Sequence, residues 1–182
     1  KPLSLTASLC FEQSYGMVEG DSASSTELYA LLSALAGAPI DQGVAVTGSV
    51  SQKGEIQPVG GVTRKIEAFY DIFKHKGLTG RQGVIIPAKN VRHLMLKHDV
   101  VESVAQGRFH IWPINTVEEG VPILMGLQAG TVRPDGTYDE GTLFRKVDDR
   151  FLEIAEIVKA FGKEEAAAGK ESEGEGGPPC AR

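Results

Sequence analysis

Glu19-Gly20-Asp21-Ser22-Ala23-Ser24 is a short polar turn that runs directly into Leu28, Leu31, Leu32 and Leu35. Those leucines recur at i, i+3, i+4 and i+7, the apolar stripe of a helix, and Gly37-Ala38-Pro39 stops it. Ser22 is therefore expected to open the first helix. A serine at a loop-to-helix junction has its hydroxyl beside unpaired backbone N–H groups that can hold negative charge on a substrate oxygen. The same position also suits a plain helix cap, so the turn by itself decides nothing.

Upstream, Leu3, Leu5, Ala7, Leu9 and Phe11 alternate with Ser4, Thr6, Ser8 and Cys10, which predicts a strand with one covered face. Downstream, residues 44–50 read as a strand, Gln52-Lys53-Gly54-Glu55 as a turn and 56–59 as a short return strand, together a hairpin. Pro58-Val59-Gly60-Gly61-Val62-Thr63-Arg64-Lys65 then begins a second helix. Val62, Ile66, Phe69 or Tyr70, and Phe73 carry its stripe to about Lys76, with Lys65 in the first turn. Residues 83–87 form a brief apolar strand, 89–97 and 101–106 two helices, and 109–114 another strand. Thr116-Val117-Glu118-Glu119 has the form of a capping box and starts a helix through Leu127. Residues 131–141 are a turn-rich connection, and 144–161 carry one more amphipathic helix. Residues 162–182 form a Gly/Glu/Lys tail too poor in apolar groups to pack, expected to be disordered. Strands interleaved with helices make the chain α/β or α+β, and the hairpin implies a mixed sheet with packed helices.

At 182 residues the chain fits one ordinary domain plus a tail. A hydrophobic content of 41% and a net charge of -5 argue for a soluble protein and against electrostatic binding to nucleic acid or an anionic membrane. Cys10 and Cys180 give no disulfide framework and suit a reducing compartment, so the expected location is the cytoplasm. No apolar run approaches the roughly 20 residues of a membrane span, and no long apolar secretory segment opens the chain.

A lysine serves as general base for a serine only when neutral, and an ordinary lysine is uncharged in about 1 molecule in 2500 at pH 7. Apolar screening and the positive end of a helix dipole both penalise an ammonium group. Lys65, early in its helix, has such a place, although surface lysines on amphipathic helices are common. His75, His93, His98 and His110 lie in no recognisable triad motif. His93 and His98 are five apart rather than at i, i+4, which does not suit a metal pair. Gly54, Gly60 and Gly61 are followed by no Gly-Lys-Ser or Gly-Lys-Thr, which argues against a phosphate loop.

Taken in order, Phe11-Glu12-Gln13-Ser14-Tyr15-Gly16, Val18 to Ser24, Thr47-Gly48-Ser49, Gly54-Glu55, Pro58 to Val62 and Lys65 resemble the proteolytic domain of the Lon family of ATP-dependent proteases, in its B-type branch. The likeness runs from about Leu5 to Gly130. It implies the Lon proteolytic-domain fold, which is like domain 2 of ribosomal protein S5, over residues 1–130. Residues 131–161 would be a connection and helix packed on or beside it. It further implies a serine endopeptidase with Ser22 as nucleophile, Lys65 as base and Thr47 as a supporting hydroxyl that either accepts from an ammonium or donates to an amine. Ser24 and Ser25 would be bystanders or caps. Glu19 and Asp21 match the acidic pair before the B-type serine and are expected to stabilise a resting arrangement. The implied partners are unfolded protein substrates, a homo-oligomeric ring, usually a hexamer, and an AAA+ ATPase. Lacking Walker motifs, this chain is expected to need no cofactor, with ATP and Mg belonging to the ATPase. In the family, additional strand-forming sequence precedes the point where Lys1 stands, so an unpaired sheet edge is also expected. Two other readings compete: a catalytically silent ring-forming module, and a serine esterase using a histidine.

Overall fold

The computed structural model describes residues 5–9 and 20–173. Helix α1 (Ser24–Ala36) leads to strand β1 (Val44–Val46), the ribbon β2 (Ser49–Val50) and β3 (Ile56–Gln57), helix α2 (Val62–Lys76) and strand β4 (Gly83–Pro87). A 3-10 turn (Ala88–His93), α3 (His98–Ala105), β5 (His110–Ile114), α4 (Val117–Met125) and α5 (Leu143–Glu173) follow.

Strands β1, β4 and β5 form a parallel sheet with β4 in the middle, while β2 and β3 pair antiparallel in a separate ribbon. The expected mixture of strand directions is thus divided between two ribbons. All five residues of β4 are buried, because helices cover both faces of the sheet. Its side chains alternate accordingly. Ile85 faces one core with Tyr29 of α1, Val121 and Leu124 of α4, and Leu143 of α5. Val84 and Ile86 face the other, with Val62, Ile66 and Tyr70 of α2, Val100 of α3, and Phe109. The chain is a three-layer α/β structure. Tyr29 bridges α1 to α4 by donating its phenol to the Val117 carbonyl at 2.8 Å, and Gly120 makes room for that ring. Burial, aided by Glu118 and Glu119, raises the phenol pKa above its ordinary value, which keeps it a donor.

Several local expectations need correction. Residues 5–9 hold no strand and Leu9 is exposed; alternation marks a strand only where a neighbouring strand completes the ladder. The rest of that segment lies outside the described residues. The strand expected over 44–50 breaks at Thr47-Gly48, where the backbone turns to bond α1. Residues 89–97 give no α-helix but a 3-10 helix that ends at His93, and the next α-helix starts at His98. The capping box is incomplete: Thr116 makes no side-chain cap, and Glu119 accepts from the N–H of Asn115 instead. Helix α5 continues through Gly162 to Glu173, as Lys163-Glu164-Glu165-Ala166-Ala167-Ala168 are strong helix formers. Residues 174–182 lie outside the described residues. Among the described residues, no helix is long and apolar enough to cross a membrane.

Candidate active site

Ser22 lies two residues before α1, not inside it. The N–H of Ser24 bonds the Asp21 carbonyl, a turn that starts the helix at Ser24 and leaves Ser22 half-buried at its mouth. Lys65 sits in the first turn of α2, where its own N–H makes an intrahelical bond to Gly61. These two elements belong to opposite faces of the sheet. They meet at the carboxyl end of edge strand β1, the side of a parallel sheet where ligands bind in α/β folds.

There Lys65 Nζ lies 3.0 Å from Ser22 Oγ and 3.1 Å from Thr47 Oγ1. Thr47 is buried, and its hydroxyl donates to the Ser22 carbonyl at 3.3 Å. Its oxygen is thereby left to accept from Lys65. The Thr47 N–H donates to the Ile85 carbonyl, which fixes it to the central strand.

Gly48 is the joint between the two elements. Its N–H donates to the Ser22 carbonyl at 3.0 Å, and its own carbonyl accepts from both the N–H and the hydroxyl of Ser25, at 3.3 and 2.7 Å. A Cβ at Gly48 would stand 3.0 Å from Ile56, so only glycine fits without displacement. Ser24 accepts from the N–H of Val50 at 3.0 Å, and the Thr26 hydroxyl donates to the Val46 carbonyl at 3.2 Å. Ser25 is 1% exposed. Ser24 and Ser25 thus stitch the Ser22 turn to the β1–β2 junction. Their spacing in the sequence carried a capping signal only, since the partners stand more than 20 positions away.

Other expectations fare differently. Glu19 lies outside the described residues, as do Phe11 to Val18 of the motif and both cysteines. Asp21 is exposed and joins the turn through its carbonyl. Among the described residues, Lys65 Nζ is held by two hydroxyls and by no carboxylate. Lys65 itself is exposed, not screened as its helical stripe suggests. The N–H groups of Ser24 and Ser25 are committed to Asp21 and Gly48, so they are not available to hold an oxyanion. His110 bonds the Gly80 carbonyl and stacks on Trp112 at the amino end of the sheet, and no histidine lines the dyad's groove. No three metal-ligating side chains converge among the described residues.

A groove of about 380 Å³ runs beside the dyad, walled by Ala68, Phe69, Ile72 and Val84. A larger depression of about 670 Å³ lies elsewhere, between Glu118, Tyr138 and Phe144. Chemistry, not size, singles out the smaller one.

Residues 16–126 match the family model of the Lon protease (S16) C-terminal proteolytic domain. The chain is 54% identical over 122 residues to a Lon protease homolog of Escherichia coli (strain K12), covering 67% of this chain and 21% of that protein. It is 43% identical over 148 residues to a Lon protease homolog of Haemophilus influenzae, covering 81% and 25%. With an archaeal Lon protease of Archaeoglobus fulgidus it shares 41% identity over 109 residues, 60% of this chain and 16% of that protein. The chain thus spans about a quarter or less of the length of these relatives.

Proposed function

Because the chain belongs to the Lon protease (S16) C-terminal proteolytic-domain family, we propose that it is a serine endopeptidase domain working through a Ser22–Lys65 dyad. The observation that carries this reading is the 3.0 Å approach of Lys65 Nζ to Ser22 Oγ, with Thr47 Oγ1 at 3.1 Å from the same nitrogen.

A neutral amine has two N–H bonds and one lone pair. With one N–H directed at Thr47, the lone pair is free to face the Ser22 hydroxyl. As Ser22 Oγ bonds to the peptide carbonyl carbon, its proton passes to Lys65 Nζ. The resulting ammonium protonates the leaving amine as the C–N bond breaks, which leaves an acyl ester on Ser22. Water, deprotonated by the same lysine, then releases the carboxylic acid. The oxyanion falls to backbone N–H groups around Ser22 other than those of Ser24 and Ser25. The apolar walls of the groove suit an apolar side chain beside the scissile bond.

The substrates are unfolded or damaged polypeptides, delivered by an AAA+ ATPase domain that binds ATP and Mg and works in a cytoplasmic ring, usually of six subunits. This chain's residues include no phosphate loop and do not suit nucleotide binding themselves. Ser22→Ala and Lys65→Ala test the mechanism. Each is expected to lower cleavage of a fluorescently labelled unfolded protein by about 10³-fold or more without altering the circular dichroism spectrum. Cleavage that survives either change refutes the dyad.

A further inference from the structure

The two halves of the dyad are held in place by different forces. The turn at Ser22 is hydrogen-bonded directly to Gly48. Helix α2, which carries Lys65, rests on the sheet by apolar packing of Val62, Ile66 and Tyr70 against Val84 and Ile86. Two of its side-chain bonds, Tyr70 to Ser103 at 2.8 Å and Glu67 to the Lys97 N–H at 2.9 Å, reach α3 and its N-cap, not the sheet. Apolar packing is strong but non-directional, so it constrains a helix's distance from the sheet better than its slide along its own axis. A long, exposed side chain such as Lys65 inherits any such slide at its tip.

A directional lock stands where α2 begins. Asn90, in the 3-10 turn that follows β4, accepts the N–H of Val59 on Oδ1 at 3.1 Å and donates Nδ2 to the Val59 carbonyl at 2.9 Å. One side-chain amide thus imitates a neighbouring strand for a single residue. Val59 is separated from the helix only by Gly60 and by Gly61, whose φ of 70° turns the chain into α2. Asn90 follows the same strand whose Ile85 carbonyl holds Thr47. The helix that carries the amine and one of its two partners, Thr47, are therefore both referenced to β4.

We propose that Asn90 is a positioning residue for the dyad: by fixing Val59 to the end of β4, it sets the axial position of α2 and hence the reach of Lys65 Nζ to Ser22 and Thr47. The inference rests on the Ser-Lys reading above. Asn90 itself touches neither reacting atom.

Asn90→Leu removes both bonds at nearly constant volume. Ser33→Ala serves as control, since it removes a side-chain-to-carbonyl bond, Ser33 Oγ to Ala38 at 2.6 Å, at the far end of α1. Three quantities decide: the rate of Ser22 acylation by a fluorophosphonate, kcat and KM for a fluorogenic peptide, and the Nζ–Oγ distance in a crystal of the variant. Asn90→Leu is expected to lower acylation and kcat about tenfold or more, with KM changed less than about twofold, while Ser33→Ala keeps its rate per folded molecule. The Nζ–Oγ separation should lengthen beyond hydrogen-bonding range. Asn90→Leu acylating like the unaltered protein, or losing no more than Ser33→Ala, overturns the proposal. If Asn90→Leu does not fold, Asn90→Ser carries the same comparison with a smaller side chain. If the folded, unaltered protein is not acylated, it is the peptidase reading that fails. The crystal distance then decides for Asn90: an unchanged 3.0 Å contact refutes its role, and a lengthened one upholds it.

Discussion

The face of the sheet that delivers Ser22 and the face that delivers Lys65 are built by different means. On the first, buried directional bonds join the layers: Tyr29 to Val117, Ser25 to Gly48, Thr47 to Ser22. On the second, an aromatic cluster dominates, with Phe69 tilted against Phe73 at 4.9 Å and Tyr70 edge-on to Phe109 at 5.3 Å. A nucleophile must present one oxygen along one line of attack, and hydrogen bonds specify lines. A base on a flexible stem tolerates more play, so packing with fewer such bonds suffices: Asn90 to Val59, Tyr70 to Ser103 and the Lys97 N–H to Glu67. Geometry at the serine is therefore stiff, and geometry at the lysine is adjustable.

The comparison breaks most completely if the base loses its lone pair. Lys65→Arg keeps the charge and much of the reach, yet arginine stays protonated, so peptide cleavage should fall by about 10³-fold, as far as in Lys65→Ala. Appreciable cleavage by Lys65→Arg would show that charge, not proton transfer, is what the site needs. Next in size, Ile66→Ala on the packed face should lower unfolding free energy by about 2–5 kcal/mol in denaturant titration, because Ile66 is fully buried. If both faces fold as one unit, fluorescence and circular dichroism will report the same midpoint; separate midpoints would mean that the two cores condense independently.

Thr47→Val tests the hydroxyl at constant shape. It should reduce kcat about 10- to 100-fold with stability lowered by only about 1 kcal/mol, since both of its bonds involve dyad residues. A raised KM with kcat unchanged would reassign Thr47 to substrate binding. Ser25→Ala leaves the Gly48 carbonyl with one donor and should cost about 1–2 kcal/mol in thermal unfolding.

The smallest expected effect lies on the surface of the packed face. There the hydrogen-bonded Lys74 ammonium, 2.7 Å away, holds the Asp99 carboxyl below its ordinary pKa, and Asp99 in turn raises that of Lys74. A depressed carboxyl contributes stability above its unfolded pKa and loses it as pH falls through the folded value. Asp99→Asn should therefore lower the thermal midpoint slightly at neutral pH, leave it unchanged at about pH 2, and so flatten the fall between them. A larger shift in acid than at neutral pH would refute that assignment.

Much of this was legible from the residues. The stripe from Val62 to Phe73 located α2, and the apolar run 83–87 located β4, because periodicity reports burial directly. The order of short motifs pointed to Ser22, Lys65 and Thr47 together. Ser25 and Asn90 left no such trace. Each binds backbone atoms of a distant segment, and a backbone carbonyl looks alike at every position, so spacing cannot reveal the partner. The break at Gly48 was hidden for the same reason: residues 44–50 form a persuasive strand until α1 claims the carbonyl of Gly48. The expected helix over 89–97 failed because Asn90, in a 3-10 turn, spends its side chain on Val59.

One consequence follows from nucleophile and base arriving on helices that cover opposite sides of a strand edge. A newly made chain in which only one layer has condensed possesses a serine without its amine, or an amine without its serine. On the proposed reading such an unfinished molecule cannot cut its neighbours or itself, and digestion waits until both layers have closed on the strand edge.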